Sequence, residues 1–206
     1  ISDSDLAIRQ SLKEMREMLR LVRLALVVSY EAFKDKNYKK QVRVSRIESA
    51  IDHLQREITM YLIAVNEKTN AEDIIRKIPA LLHTVNDIEK VGDFTEELNR
   101  ILNYQITSQK NSLCPDFVQM IDELHAKMMF MLDLCVDYMD ELKPDFTYKI
   151  IEMEGRINEQ HRTERHNILN QIQQGECDAQ GGLNTIDYID QVEVIADKLK
   201  NLVKAG

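Results

Sequence analysis

Apolar residues recur every three or four positions along almost the whole chain, and only short polar or Gly- and Pro-containing stretches interrupt them. Leu12, Met15, Leu19 and Val22 form one such stripe. This spacing places apolar side chains on one face of an α-helix. The pattern predicts six helices, over about residues 4–35, 38–67, 71–109 and 116–142, then from just after Lys143-Pro144-Asp145 to about 174, and over 178–204.

The composition changes little in this picture and supports an all-α fold. Only six Gly and three Pro occur in 206 residues, there is no Trp, and 44% of the residues are hydrophobic. This balance is typical of packed helices and excludes sandwiches, barrels and Gly-rich phosphate loops. Because the predicted connections are short, consecutive helices are expected to pack antiparallel.

The apolar runs are too short for a membrane span. The longest uninterrupted one, Met60–Val65, is far below the roughly 20 residues that cross a bilayer, and the N-terminus has no basic-then-apolar signal pattern. We therefore expect the chain neither to cross a membrane nor to be secreted by itself. It begins with Ile1 rather than Met, which suggests a piece cut from a longer polypeptide.

Charge and cysteine content limit the classes of binding partner and the cellular compartment that we expect. The formal net charge of -8 gives no electrostatic reason to expect a nucleic acid as partner. Cys114, Cys135 and Cys177 are odd in number, far apart in sequence and without a Cys-x-x-Cys pair. They predict neither a disulfide framework nor a zinc site, and a reducing cytosol is the expected compartment.

The chain contains an internal repeat. The segment 88–93, followed by Leu98, matches the segment 192–197, followed by Leu202, at an offset of 104 residues. One helix earlier, residues 46–52 match 152–158 at an offset of 106. The sequence therefore predicts two tandem antiparallel three-helix bundles, at about 1–110 and 115–206.

Carboxylate pairs with Glu-x-x-x-Asp spacing are the main chemical feature. Glu48 with Asp52 and Glu89 with Asp93 each lie on one helix face, on neighbouring antiparallel helices. If the pairs align, they form a patch whose repulsion requires protonation, basic neighbours, solvation or a cation. All-oxygen ligands suit Mg, Ca, Mn or iron. The alternative is a solvated helix face, neutralised by Arg46, Arg56 and Lys90.

The second unit repeats this feature incompletely. Glu193 and Asp197 have the same spacing, whereas Glu154 is followed four residues later by Asn158 rather than by an acid. A site in this unit would have fewer charges and a weaker affinity for cations. Gly92 and Ala196 occupy matching positions beside the aspartates, which indicates close approach of helices.

The segments 85–93 (VNDIEKVGD) and 48–58 (ESAIDHLQREI) resemble the signature segments of the PhoU family of phosphate-uptake regulators. The resemblance covers nearly the whole chain. It implies two tandem three-helix repeats whose acidic motifs hold iron or another metal such as Mg, Mn, Ca or Zn. Carried over position by position, it implies these metal ligands: Glu48, Asp52, Glu89, Asp93, Glu193 and Asp197, with Glu154 as a weaker candidate.

The second unit is similar to the PhoU-like tail that follows the membrane part of bacterial sodium-dependent phosphate cotransporters. Segments 156–158, 165–166, 175–177 and 181–183 carry this similarity. It implies a regulatory module at the cytoplasmic face of the cell membrane, with the transporter domain of the same polypeptide as its partner. Three departures weaken a complete second cluster: Asn158 replaces an acid, Phe94 stands where the family often has His, and Ala196 replaces Gly.

Catalysis is not expected. None of the five histidines follows a Glu by three residues, as di-iron enzymes of helical bundles require, and no nucleophile arrangement is evident. Two alternatives to the cotransporter module stay open: a free-standing regulator that acts on a transporter and a sensor kinase, and a helical scaffold without metal. The sequence also leaves open whether phosphate binds directly and whether the chain forms a homo-oligomer.

Overall fold

The computed structural model describes residues 3–107, 114–141 and 143–204. Within these residues the chain forms six α-helices and no strands, which confirms the predicted all-α fold. The predicted helix ends at 109 and 142 lie outside the described residues. The helices are α1 (Asp3–Lys34), α2 (Tyr38–Lys68), α3 (Glu72–Thr107), α4 (Phe117–Glu141), α5 (Pro144–Gln174) and α6 (Ala179–Lys204).

The short connections have identifiable local causes. Asn37 precedes α2 with extended backbone angles, and its side chain accepts a hydrogen bond from the Lys39 main-chain N–H at 3.1 Å. Pro144 begins α5, where its missing N–H costs no helical hydrogen bond. Gly175 ends α5 with a positive φ of 74°, a conformation that glycine adopts without strain. Asn37 and Pro144 thus mark where a helix begins, and Gly175 marks where one ends.

The helices pack as two triplets. Each of α1, α2 and α3 contacts the other two, and α4, α5 and α6 do the same. The triplets meet through α1 against α4 and α3 against α6. One continuous apolar core runs through both triplets. The division into units 1–110 and 115–206 stays a prediction, and residues 1–2, 108–110, 142 and 205–206 lie outside the described residues.

The cysteines correct one expectation from the sequence. Cys114, just before α4, and Cys177, between α5 and α6, form a disulfide with their Cα atoms 4.8 Å apart. Both are buried, as is the free Cys135. The prediction that these cysteines do not pair was wrong, because antiparallel packing brings residues 63 positions apart to the same end of the second triplet. The cysteine-based argument for a reducing compartment therefore no longer holds.

No helix within the described residues combines the length and the apolar character that crossing a bilayer requires.

Candidate metal site

The site begins with the close approach of α2 and α3. A Cβ atom placed on Gly92 would lie only 3.2 Å from Cδ1 and 3.3 Å from Cγ2 of Ile51. A larger residue at position 92 would therefore have to displace the Ile51 side chain. The small residue brings the polar edges of the two helices together beside the buried Ile51.

Three of the predicted ligands meet at this approach. Glu48, Asp52 and Asp93 each offer a carboxylate oxygen, and these oxygens all lie within 4.8 Å of one another. Glu48 and Asp52 are one turn apart on α2, and Asp93 faces them from α3. Two oxygens that ligate one ion at 2.0–2.6 Å are at most about 5 Å apart, so this spacing fits a single hard cation.

Burial and the neighbouring carboxylates raise the pKa values of Glu48 and Asp93. Burial, and then the charge and hydrogen bond of Asp52, raise the pKa of Glu48 to about 7. Burial raises the pKa of Asp93, with the charges of Asp52 and Glu96 adding to it. Ionisation of Glu48 and Asp93 is thus made harder by the carboxylates around them, which is the condition that a bound cation relieves.

Glu89 lies one turn before Asp93 and joins the same electrostatic field. Burial raises its pKa first, and the charges of Asp93 and Asp52 raise it further, while Lys90 opposes them. It is not one of the three residues whose carboxylate oxygens all lie within 4.8 Å of one another. Glu89 therefore lies at the edge of the cluster and is a weaker ligand candidate than the three residues of the cluster.

The alternative of neutralisation by basic neighbours receives little support. Among the groups that shift the pKa values of Glu48 and Asp93, there is no basic side chain of the described residues. Arg46 and Arg56 are both exposed. Of the three expected neutralising residues, only Lys90 acts, and it acts on Glu89.

Sequence reasoning missed Glu96. This residue contributes to the raised pKa values of Glu48 and Asp93, and its Oε1 accepts a hydrogen bond from the Ser45 hydroxyl at 2.5 Å. Glu96 lies outside the Glu-x-x-x-Asp pair because it comes three residues after Asp93. Its signal was the helical spacing of Glu89, Asp93 and Glu96, which places all three on one face.

The second triplet fills the corresponding place with an ammonium group. Lys200 Nζ lies 2.6 Å from Glu154 Oε1 and 2.7 Å from Asp197 Oδ1. Asn158 Nδ2 donates a further hydrogen bond of 2.8 Å to Glu154 Oε1. The repeat offset of 104 aligns Lys200 with Glu96. The residue types at these positions thus change a purely acidic cluster into an internal ion pair.

This ion pair is largely removed from solvent. The side chain of Glu154 is 10% exposed and that of Lys200 is 16% exposed. Burial lowers the pKa of Lys200, but the hydrogen bonds to Asp197 and Glu154 outweigh it, and the pKa is raised. Lys200 therefore carries a positive charge between two of the residues expected to bind metal. Glu193 is half-buried and lies one turn before Asp197. Among the described residues it belongs to no cluster of carboxylates close enough to ligate one metal ion.

Comparisons with known proteins agree with this architecture. Residues 15–102 match the family model of the PhoU domain. A comparison with curated protein sequences finds no match.

Two solved structures have the same fold. The crystal structure of PhoU from Pseudomonas aeruginosa superposes with a TM-score of 0.86 at 16% identity, covering 98% of this chain and 95% of that one. The phosphate transport system regulatory protein PhoU from Streptococcus pneumoniae gives a TM-score of 0.86 at 15% identity, covering 98% and 94%. At these identities the likeness establishes the fold.

Proposed function

We propose that the chain is a PhoU-type regulator of phosphate transport, and that its first triplet acts through a cation held by Glu48, Asp52 and Asp93. The match of residues 15–102 to the PhoU domain and the shared fold support the regulatory part. The observation that carries the cation part is the meeting of three carboxylates within 4.8 Å. A regulator of this kind needs no catalytic machinery, because its output is an interaction.

The ligand chemistry defines the cation. A purely carboxylate set suits hard cations, so Mg, Mn, Ca and iron fit better than Zn, which prefers nitrogen and sulfur ligands. Glu89 and Glu96 supply further oxygens at the edge of the cluster. Since the pKa of Glu48 is about 7, cation binding displaces a proton near neutrality, and affinity should rise as the pH increases from about 6 to 8.

The cation offers a physical route to regulation. Its ligands come from both α2 and α3, so binding ties these helices together at one level. If two arrangements of the helices, or of a partner surface, differ in cation affinity, occupancy of the site shifts the equilibrium between them. The direction of the effect on transport depends on which arrangement the partner recognises.

We further propose that the chain is the cytoplasmic module of a sodium-dependent phosphate cotransporter, with the membrane domain of the same polypeptide as its partner. The similarity of the second unit to such tails supports this assignment. A free-standing regulator that acts on a transporter and a sensor kinase fits the family match and the fold equally well. A helical scaffold without metal is the alternative from a different functional class.

Metal analysis tests the cation site. Purified protein loaded with Mn²⁺ or Fe³⁺ and then desalted should retain metal, and the double variant Asp52→Asn/Asp93→Asn should lose most of it. Glu57→Gln is the matched control, because Glu57 is an exposed carboxylate on the same α2 helix. Equal metal content in the wild type and the double variant would leave the metal-free scaffold.

Two observations test the attachment. Genomic sequence upstream of Ile1 that encodes hydrophobic spans in frame would support the cotransporter module. Cross-linking in cells followed by mass spectrometry should then recover a membrane phosphate transporter. Recovery of a histidine kinase, with no membrane spans in frame, would favour the free-standing regulator.

A further inference from the structure

A cavity of about 340 Å³ adjoins the carboxylate cluster of the first triplet. It lies between the first half of α2 and the second half of α3. Ser45, Asp93 and Glu96 line the side that faces the cluster, and Gln41 and Asn99 line the cavity as well. The cavity is thus continuous with the proposed cation site but extends beyond it. Nothing in the proposed metal chemistry accounts for its amide lining.

Those amides are buried and lack partners within the described part of the chain. Gln41 is 4% exposed, and neither its Nε2 nor its Oε1 has a hydrogen-bond partner. Asn99 is 7% exposed and donates Nδ2 to the Gln41 main-chain oxygen at 3.4 Å, which leaves its Oδ1 without a donor. The Oδ1 of Asn103, which also lines the cavity, is in the same state. Buried polar atoms are normally satisfied, so this set indicates a hydrogen-bonding ligand.

The missing partners are mainly donors. Because Asn99 uses its own N–H group on the main chain, the atom it presents is an oxygen. The carboxylates of Asp93, Glu96 and Glu97 also line the cavity, and the one basic side chain among the lining residues, Arg100, is held by both oxygens of Glu97. The lining therefore has a surplus of negative charge and of acceptors. Such a site repels a free oxyanion and attracts a cation that carries N–H groups.

The second triplet holds an ammonium group beside Asp197, the aspartate that corresponds to Asp93. There, the Lys200 ammonium group binds Glu154 at 2.6 Å and Asp197 at 2.7 Å. The first triplet has Glu96 at the position of Lys200 and cannot supply that ammonium itself. Tyr38 and Val42, which are 56% and 50% exposed, also line the cavity and offer apolar surface to a methylene chain.

We infer that this cavity binds an aliphatic primary ammonium group, with the nitrogen against Asp93 and Glu96 and the neighbouring N–H groups on the free amide oxygens. The ligand is either a small amine or a lysine side chain of a partner, since both present the same chemistry. It shares Asp93 with the proposed metal, so amine and metal compete for the first triplet.

Calorimetric titration of the metal-free, chelator-treated chain with spermidine tests this inference at low ionic strength. The wild type should bind saturably. Asn99→Leu, which removes a free acceptor, should weaken binding by about tenfold. Glu96→Lys, which places an ammonium where the second triplet has Lys200, should abolish it. Glu57→Lys makes the same charge change on exposed α2 surface and should retain binding within about twofold.

The remaining arms separate the possible outcomes. Asn103→Leu replaces Asn99→Leu if that variant does not fold. Binding of a lysine-containing peptide without binding of spermidine would support the inference and assign the ammonium to a partner protein. Equal affinities for the wild type, Asn99→Leu and Glu96→Lys, or saturable binding of inorganic phosphate to the metal-free chain, would overturn it. Mn²⁺ binding in Asn99→Leu should be unchanged, so failure of either proposal is visible independently of the other.

Discussion

The two triplets place different chemistry at corresponding positions of one repeated scaffold. In the first triplet, the four positions are all acidic, and burial together with the neighbouring carboxylates raises the pKa values of Glu48 and Asp93. In the second, two carboxylates share an ammonium group, and one of them also accepts a hydrogen bond from an amide. The corresponding pairs are Glu48 and Glu154, Asp52 and Asn158, Asp93 and Asp197, and Glu96 and Lys200.

This difference separates a site that contains its own counter-ion from one for which we propose an external cation. The Lys200 ammonium group belongs to the chain itself, so the negative charge of the second site is neutralised without a dissolved cation. On the proposal that the first site binds a cation, its free energy depends on cation concentration and pH. On this proposal the first triplet can respond to a cation, whereas the second contains its own ammonium group.

The disulfide provides the largest expected contrast. It closes a loop of 63 residues in the second triplet, whereas the first triplet contains no cysteine at all. Reduction should lower the free energy of unfolding by about 4 kcal/mol, because it restores conformational freedom to the unfolded chain. Urea unfolding with and without reductant measures this. The double variant Cys114→Ser/Cys177→Ser should not respond to reductant, and an equal response in both proteins would contradict the assignment.

The buried ion pair gives the next effect. Lys200→Met should lower the free energy of unfolding by about 3 kcal/mol, because the buried Glu154 carboxyl group loses its counter-ion. Lys204→Met, at the exposed end of α6, is the control and should change it by less than about 0.5 kcal/mol. Chemical denaturation at pH 7 measures both. A loss below about 1 kcal/mol for Lys200→Met would mean that Glu154 is well solvated.

Converting the second site into the first sharpens the comparison. The double variant Asn158→Asp/Lys200→Glu should acquire cation-dependent stability, with Asp93→Asn added to silence the first triplet. At a hundredfold excess of Mn²⁺ over its dissociation constant, the gain is about 2.7 kcal/mol. Thermal unfolding with and without Mn²⁺ measures it. Asp93→Asn alone is the control, and no Mn²⁺ response in the converted chain would show that Lys200 is not what excludes a metal.

The smallest expected effect concerns Glu48 and its counterpart Glu154, because replacing each by Gln should change the free energy of unfolding in opposite directions. The folded-state pKa of Glu48, about 7, lies above the unfolded value of 4.5, so metal-free folded protein binds the extra proton between these values. Stability from this group is therefore present at low pH and is lost as pH rises from 4.5 through 7.

Glu48→Gln should raise the stability of metal-free protein at pH 8 by roughly 1 kcal/mol, after allowance for solvent screening. Glu154→Gln, its counterpart in the second triplet, should lower stability, since it removes a partner of Lys200. Unfolding curves between pH 5 and 8 measure both changes. Parallel pH profiles for the wild type and Glu48→Gln would contradict the coupling at Glu48.

The spacing of apolar residues, together with Gly and Pro at helix ends, predicted most of the fold. The apolar stripes predicted all six helices, because each helix must bury one face, and Gly175 marked the end of α5, which begins at Pro144 itself rather than after Asp145. The Glu-x-x-x-Asp spacing brought Glu48 and Asp52 to one face without knowledge of any neighbour. Gly92 correctly indicated a close approach of helices, because the Ile51 side chain of α2 packs directly against it.

Tertiary packing decided what the neighbours are. Whether Asp93 faces Asp52, whether Lys200 reaches Glu154 and whether Cys114 meets Cys177 depends on the register of antiparallel helices, which short-range periodicity does not encode. The sequence by itself determined six amphipathic helices in a repeated order, since helical periodicity is a local property. Only the three-dimensional packing decided that one acidic site is compensated from within and the other is not, because electrostatic interactions depend on distance in space rather than along the chain.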